Sequence, residues 1–182
     1  TAQFADALTL LRRNHPECRL TLVEDTNAAL HEAIGSGELN LAVVGSVEGS
    51  FARVMLGKSE HLSVVANPAL GLAGRPNIAL SEACALPLVL GPQFLTIHAA
   101  FADAAAERRL HINQVIEAGS ILPAISMTRP SPLCMVLPAS SVRNDMAAGR
   151  LPVTPIAERL SIGNLAVIFS GERELPEICL VS

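Results

Sequence analysis

The sequence predicts an α/β protein built as two Rossmann-like lobes with a hinge cleft between them. Two observations carry that expectation. Short apolar runs of strand length alternate with stretches of helical periodicity, in two successive series. Runs such as Leu39–Val44 and Leu165–Phe169 are apolar almost throughout, the pattern of strands buried on both faces of a parallel sheet.

The stretch from Arg19 to Gly45, RLTLVEDTNAALHEAIGSGELNLAVVG, sets the plan. Leu20, Leu22 and Val23 suit a strand, and Leu39 to Val44 suit a second one. Between them Leu30, Ala33 and Ile34 fall at i, i+3 and i+4, so one helical stripe faces inward. Asp25, Thr26 and Asn27 offer N-cap oxygens, and Gly35-Ser36-Gly37 offers a left-handed stop. The segment reads as one right-handed βαβ unit.

The other elements follow in order. Phe4 to Arg13 reads as a helix ended by His15-Pro16. An α/β sheet normally opens on a strand, and this chain opens on a helix, so the expectation is a trimmed fragment that lacks its first strand. Phe51 to Leu56 and His61 to Ala66 read as strands, and the Gly- and Pro-bearing loop from Asn67 to Asn77 as the first crossing between lobes. The second series runs helix Leu80–Ala85, strand Pro87–Leu90, loop Gly91-Pro92-Gln93, Ala-rich helix Leu95–Arg109 and strand His111–Glu117. Helix Ser120–Thr128 tolerates Pro123 in its first turn, and Arg129-Pro-Ser-Pro132 breaks it. Strand Leu133–Leu137, helix Ser140–Ala148, the return Leu151–Ile156 and strand Leu165–Phe169 complete the chain, with ELPEICLVS as the start of a further helix. Lobe I is thus expected at 1–66 plus 154–182, and lobe II at 67–153.

Composition narrows the function. With 50% hydrophobic and 16% charged residues among 182, the chain buries real cores and is not disordered. The cores rest on Leu, Ile, Val and Ala, since there is no Trp or Tyr and only 5 Phe. A net charge of -4 gives no general attraction for nucleic acid. No apolar run is long enough to span a bilayer, and no signal peptide is visible, so no membrane partner is expected. Cys18, Cys84, Cys134 and Cys179 are widely spaced among apolar neighbours, which reads as buried free thiols in a reducing compartment.

Several segments together resemble the effector-binding domain of LysR-type transcriptional regulators. They are LLRRNHPECRLTLVEDTNAALHEAIGSGELNLAVVG, EHLSVVANPALGLAGR, IALSEACALPLVLG and MVLPASSVRNDMAAGRLPVTPI, in the family's order and across nearly the whole chain. The resemblance implies a type II periplasmic-binding-protein-like pair of lobes with a small-molecule inducer in the cleft. It implies a homodimer whose lobes pack antiparallel, a cytoplasmic location, and DNA binding through an N-terminal winged helix-turn-helix that this sequence does not contain. Two features depart from the family pattern: the strand expected before Thr1 is absent, and Arg129-Pro-Ser-Pro-Leu133 replaces a glycine-rich turn.

The candidate site residues lie at strand ends. Thr26 matches the family's effector-facing position at a helix start, where a hydroxyl and free N–H groups suit an anion; it is equally an N-cap. Gly45 and Ser46 follow the second strand of the opening unit, at the edge where open α/β sheets bind ligands, or form a plain surface turn. Gln93, Phe94 and Thr96 follow the first strand of the second series. Phe94 suits the apolar part of an effector and Gln93 or Thr96 its polar part; alternatively Phe94 is core and Thr96 a cap. Arg129 offers bidentate pairing to an acidic effector, or is a solvated loop residue.

No metal, cofactor or catalytic group is expected. His15, His31, His61, His98 and His111 lack H-x3-H or H-E-x-x-H spacing, and His15–Cys18 alone is weak as a zinc pair. The nucleophile-elbow, P-loop and dinucleotide fingerprints are absent. What the resemblance implies as function is non-enzymatic sensing, by the effector domain of a transcription regulator, of a small anion or polar metabolite. A transport-type solute-binding protein of the same fold is the alternative.

Overall fold

The computed structural model describes residues 2–45, 47, 49–56, 59–92 and 96–170, with side chains from residue 7 onward. Six α-helices and eight strands occur among them, in the order α1 Ala2–Asn14, α2 Asn27–Ser36, β1 Ala42–Val44, β2 Ala52–Leu56, β3 Leu62–Ala66, α3 Leu80–Ala85, β4 Leu88–Leu90, α4 Thr96–Glu107, β5 Gln114–Glu117, α5 Ile121–Thr128, β6 Cys134–Pro138, α6 Arg143–Ala147, β7 Val153–Pro155 and β8 Leu165–Phe169. The chain divides into two compact units, Thr1–Ser59 with Gly163–Ser182, and Glu60–Ile162. The expected helix in ELPEICLVS lies outside the described residues.

Unit 1 holds a three-stranded sheet in the order β1-β8-β2, with β8 antiparallel to both neighbours. Ala42 and Val44 of β1 and Ala166 and Ile168 of β8 are buried on one face against Ile34 of α2, while Val43, Leu165 and Val167 remain half-exposed on the other. Burial therefore alternates even where the sequence is continuously apolar. The helix α2 has the expected stops: the Thr26 hydroxyl accepts from Ala29 N–H at 3.2 Å, and Gly37 closes the helix at φ 78°.

The opening βαβ plan is only partly realised. Residues 19–24 form no strand, and their backbone groups find no hydrogen-bond partner among the described residues. The apolar side chains that suggested a strand are exposed, Leu22 at 63% and Val23 at 54%. A strand is stable only beside another, and no described strand lies next to this segment. An open groove of about 890 Å³ instead runs along it, lined among others by Leu8, Arg12, Cys18, Leu20 and Leu22.

Unit 2 holds a mixed five-stranded sheet in the order β5-β4-β6-β3-β7. Its inner strands β4, β6 and β3 are buried at every position because both faces are covered. Val64, Leu88, Leu90, Cys134 and Val136 point into one core with Phe101 and Ala105 of α4 and Leu80 and Ala83 of α3. Val65, Val89, Met135 and Leu137 point into the other, with Ala124 and Ile125 of α5. The pairs β4–β5 and β4–β6 are parallel, whereas β3 is antiparallel to β6 and to β7.

The pairing of this sheet sets the extent of unit 2. The strand β3, placed in lobe I from sequence, is hydrogen-bonded on both sides within unit 2, and β7 forms the edge beside it. The boundaries therefore fall after residues 59 and 162 rather than 66 and 153. The loop from Asn67 to Asn77, expected as the crossing, is folded onto unit 2: Asn67 N–H donates to Leu133 C=O at 2.9 Å and Leu72 is buried.

Candidate functional site

The candidate residues of unit 1 converge at the C-terminal end of β1. Thr26 lies at the start of α2, its N–H held by Asp25 Oδ1 at 2.7 Å and its hydroxyl engaged as the cap. Asn27, one residue on, accepts from Gly45 N–H through Oδ1 at 3.4 Å, so the helix start and the strand end are linked. The His31 ring donates from Nδ1 to Asn27 C=O at 2.6 Å, which fixes its tautomer, and stacks at a tilt on Phe51 with centroids 5.5 Å apart. Ser46 lies outside the described residues.

His31 stands one turn after Asn27 in α2, and that i, i+4 spacing is the sequence signal for its structural role.

The corresponding corner of unit 2 follows β4. Thr96 is the first residue of α4, and His98, nearly fully buried, donates from Nδ1 to Gly91 C=O at 2.5 Å. That bond ties the first turn of α4 to the residue just after the strand. Gln93 and Phe94 lie outside the described residues. His31 thus braces the first turn of its own helix through a backbone carbonyl, and His98 braces the β4-to-α4 turn through one.

Arg129 follows α5 and is engaged. Its Nε and Nη2 donate to Asp145 Oδ1 and Oδ2, both at 2.9 Å, and Arg150 Nε donates to Oδ1 at 2.7 Å. The Asp145 carboxylate is buried beneath two half-exposed guanidiniums, which hold its pKa below the ordinary carboxylate value against the opposing effect of burial. Asn67 Nδ2 donates to Thr128 C=O at 3.2 Å and Arg129 C=O at 2.8 Å, closing the end of α5. The bidentate partner anticipated from an effector is here a side chain of the chain itself.

Two of the cysteines, Cys84 and Cys134, behave as packing groups. Cys84 and Cys134 are free and buried in the first core of unit 2, and burial pushes the Cys134 thiol up to about 12. Among the described residues no group of three His, Cys, Asp or Glu side chains is placed to hold a metal ion, and no helix is long and apolar enough to cross a membrane.

The mixed α/β architecture is the type II periplasmic-binding-protein-like fold. The model of the LysR substrate binding domain matches residues 1–179, and the chain belongs to that family. Solved structures agree on the fold. HinK, a LysR family transcriptional regulator from Pseudomonas aeruginosa, superposes with a TM-score of 0.77 at 16% identity, over 96% of this chain and 61% of that one. The regulatory domain of CcmR from Synechocystis PCC6803, in complex with 2-PG, gives 0.79 at 15% identity over 97% and 86%. The effector binding domain of BenM with its effector benzoate gives 0.71 at 17% over 96% and 80%. The chain spans about three fifths of the length of the HinK chain it matches. No curated protein sequence matches it.

Proposed function

We propose that this chain is the sensing domain of a LysR-type transcriptional regulator and binds its effector at the end of β1 beside the start of α2 in unit 1, and at the β4-to-α4 turn of unit 2. The observation that carries the reading is the family match over nearly the whole chain, together with turns braced by backbone and side-chain hydrogen bonds at the ends of β1 and β4. Thr26, Gly45 and Ser46 serve in unit 1, and Gln93, Phe94 and Thr96 in unit 2. Hydroxyl, amide and helix-start N–H donors suit a small anion or a polar metabolite. Benzoate, the effector in the BenM structure, is a carboxylate of that kind. Arg129 acts in this reading by holding its turn against Asp145 rather than by binding the ligand.

The mechanism is a population shift. An effector that prefers one arrangement of the domain biases the equilibrium by its difference in affinity, and the bias passes to a DNA-binding domain elsewhere in the regulator. The working form is a cytoplasmic homodimer with antiparallel lobes, and no catalytic step is involved. A thermal-shift screen of benzoate, other small carboxylates, amino acids and inorganic anions tests the reading. A ligand at 100 times its Kd stabilises by about 2.7 kcal/mol. Loss of that shift in Thr26→Val and Gln93→Ala supports the placement, and retention in both overturns it.

A further inference from the structure

We infer that Arg129 and Arg150 form a second anion site, on unit 2, and that its ligand is a phosphoryl group. Asp145 occupies only part of each guanidinium. Arg129 gives it Nε and Nη2, and Arg150 gives it Nε alone. A guanidinium carries more N–H donors than that, so each keeps an Nη1–Nη2 edge whose remaining donors meet no partner among the described residues. The Arg129 and Arg150 side chains are 45% and 51% exposed, while the Asp145 side chain beneath them is 8% exposed. Both Nε groups donate to the same atom, Asp145 Oδ1, so the two guanidiniums are neighbours across a single oxygen. The backbone around them is held as well. Arg129 N–H donates to Ile125 C=O at 3.1 Å, its carbonyl accepts from Asn67 Nδ2 at 2.8 Å, and Pro130 follows with its φ locked. Arg150 N–H donates to Asp145 C=O at 2.9 Å, so its backbone and side chain return to one residue. A ligand meets donors that are already ordered, which lowers the cost of binding.

Two neighbouring forks ask for more acceptor oxygens than a carboxylate has. A tetrahedral phosphoryl group supplies them and carries more negative charge. The local charge agrees. Between Glu117 and Glu158 the chain has Arg129, Arg143 and Arg150 against Asp145 as its single acid, although its net charge is -4. So local a surplus suits a free phosphate or a small phosphomonoester, not the long charged backbone of a nucleic acid. The site is also distinct from the β4-to-α4 turn. The strands β4 and β6 are parallel, with Leu88 opposite Cys134, so Arg129 enters β6 at the end where β4 begins. The end of β3 and the start of β7 lie at that same end, since Ala66 pairs with Cys134 and Val65 with Val153. Arg150, just before β7, therefore shares the sheet end opposite the one where β4 gives way to α4.

The test is titration of the whole chain with inorganic phosphate and with glycerol 3-phosphate at physiological ionic strength, followed by phosphorus-31 NMR. The two probes separate a free anion from a monoester. Saturable binding is expected for at least one of them, weakened by about tenfold or more in Arg150→Gln. That variant keeps both Arg129–Asp145 bonds, and a urea melt checks that it is folded. Arg150→Lys keeps the charge but loses the fork, and is expected to lose most of the affinity too. Arg143→Gln removes the same charge from α6 outside the cluster and is expected to weaken binding by less than about threefold. Absence of saturable binding overturns the inference, as does full affinity in Arg150→Lys or equal loss in Arg143→Gln and Arg150→Gln. Loss in Thr26→Val with retention in Arg150→Gln moves the phosphate to unit 1 and also overturns it. Tighter binding of a short DNA duplex than of either probe, abolished in Arg150→Gln, overturns it in favour of a nucleic-acid contact.

Discussion

Arg129 grips Asp145 with two parallel hydrogen bonds of 2.9 Å, and Arg150 adds a third to the same carboxylate. The carboxylate is buried and both cations are partly in water, so the arrangement joins the end of α5 to α6 across the Pro-rich turn. Because the native pKa of Asp145 lies below its unfolded value, the group contributes stability above the ordinary carboxylate range. That contribution is lost as pH falls through and below about 4. Chemical denaturation of wild type and Asp145→Asn between pH 7 and pH 3 is expected to show a difference that is largest at neutral pH and closes on the acid side.

Thr26 separates capping from ligand binding. Removing its hydroxyl in Thr26→Val abolishes the bond to Ala29 N–H and is expected to cost about 1 kcal/mol of unit 1 stability. Thr26→Ser keeps the oxygen and most of that stability. Urea melts of the two variants read the cap alone, and affinity for a bound carboxylate reads the second role.

Phe101 is fully buried between α4 and the unit 2 sheet. Phe101→Ala removes a large side chain from a two-sided core and is expected to destabilise unit 2 by about 3–5 kcal/mol. Equilibrium urea unfolding measures the loss.

Thiol reactivity is expected to follow burial. Cys134, whose thiol is pushed up to about 12, is alkylated by iodoacetamide at pH 8 only when unit 2 opens. Cys18, half-buried in unit 1, is modified first. Mass spectrometry of peptides from a time course decides the order.

Hydrogen exchange should separate two segments of similar composition. Amides of residues 19–24, with no partner among the described residues, are expected to exchange at nearly intrinsic rates. Amides of β3, paired on both sides, are expected to be among the slowest in the chain.

Those same two segments show what could be read in advance. Local signals were reliable: the Thr26 cap, the Gly37 stop, the stripe that buries Ile34, and most helices of unit 2 appear where periodicity and capping residues put them. Pairing partners were not legible. Leu20-Thr-Leu-Val and Leu62-Ser-Val-Val have the same strand character, but the second finds two neighbours and the first none among the described residues. Burial on one face in β8 and on two faces in β6 likewise depends on which helices arrive, which an apolar run does not record.

Arg129 taught the opposite lesson about the site. As an isolated cation in a loop it looked available, and the acid that claims it is sixteen residues away, on a separate helix. The bracing histidines were overlooked because a histidine suggests chemistry before it suggests a hydrogen bond to a carbonyl.

The central strand of the unit 1 sheet is also the last strand of the described chain. Everything that unit 2 needs for its sheet lies in one uninterrupted run from Glu60 to Ile162, so that unit can close as soon as the run is synthesised. The strands β1 and β2 are made earlier yet are joined in the sheet only through β8, which emerges more than a hundred residues later. Unit 1 contributes the earlier strands and completes its sheet last. Until then its early strands keep open edges that other chains could pair with, and a chain cut short before Leu165 would hold every strand of the unit 2 sheet but lack the strand that joins β1 to β2.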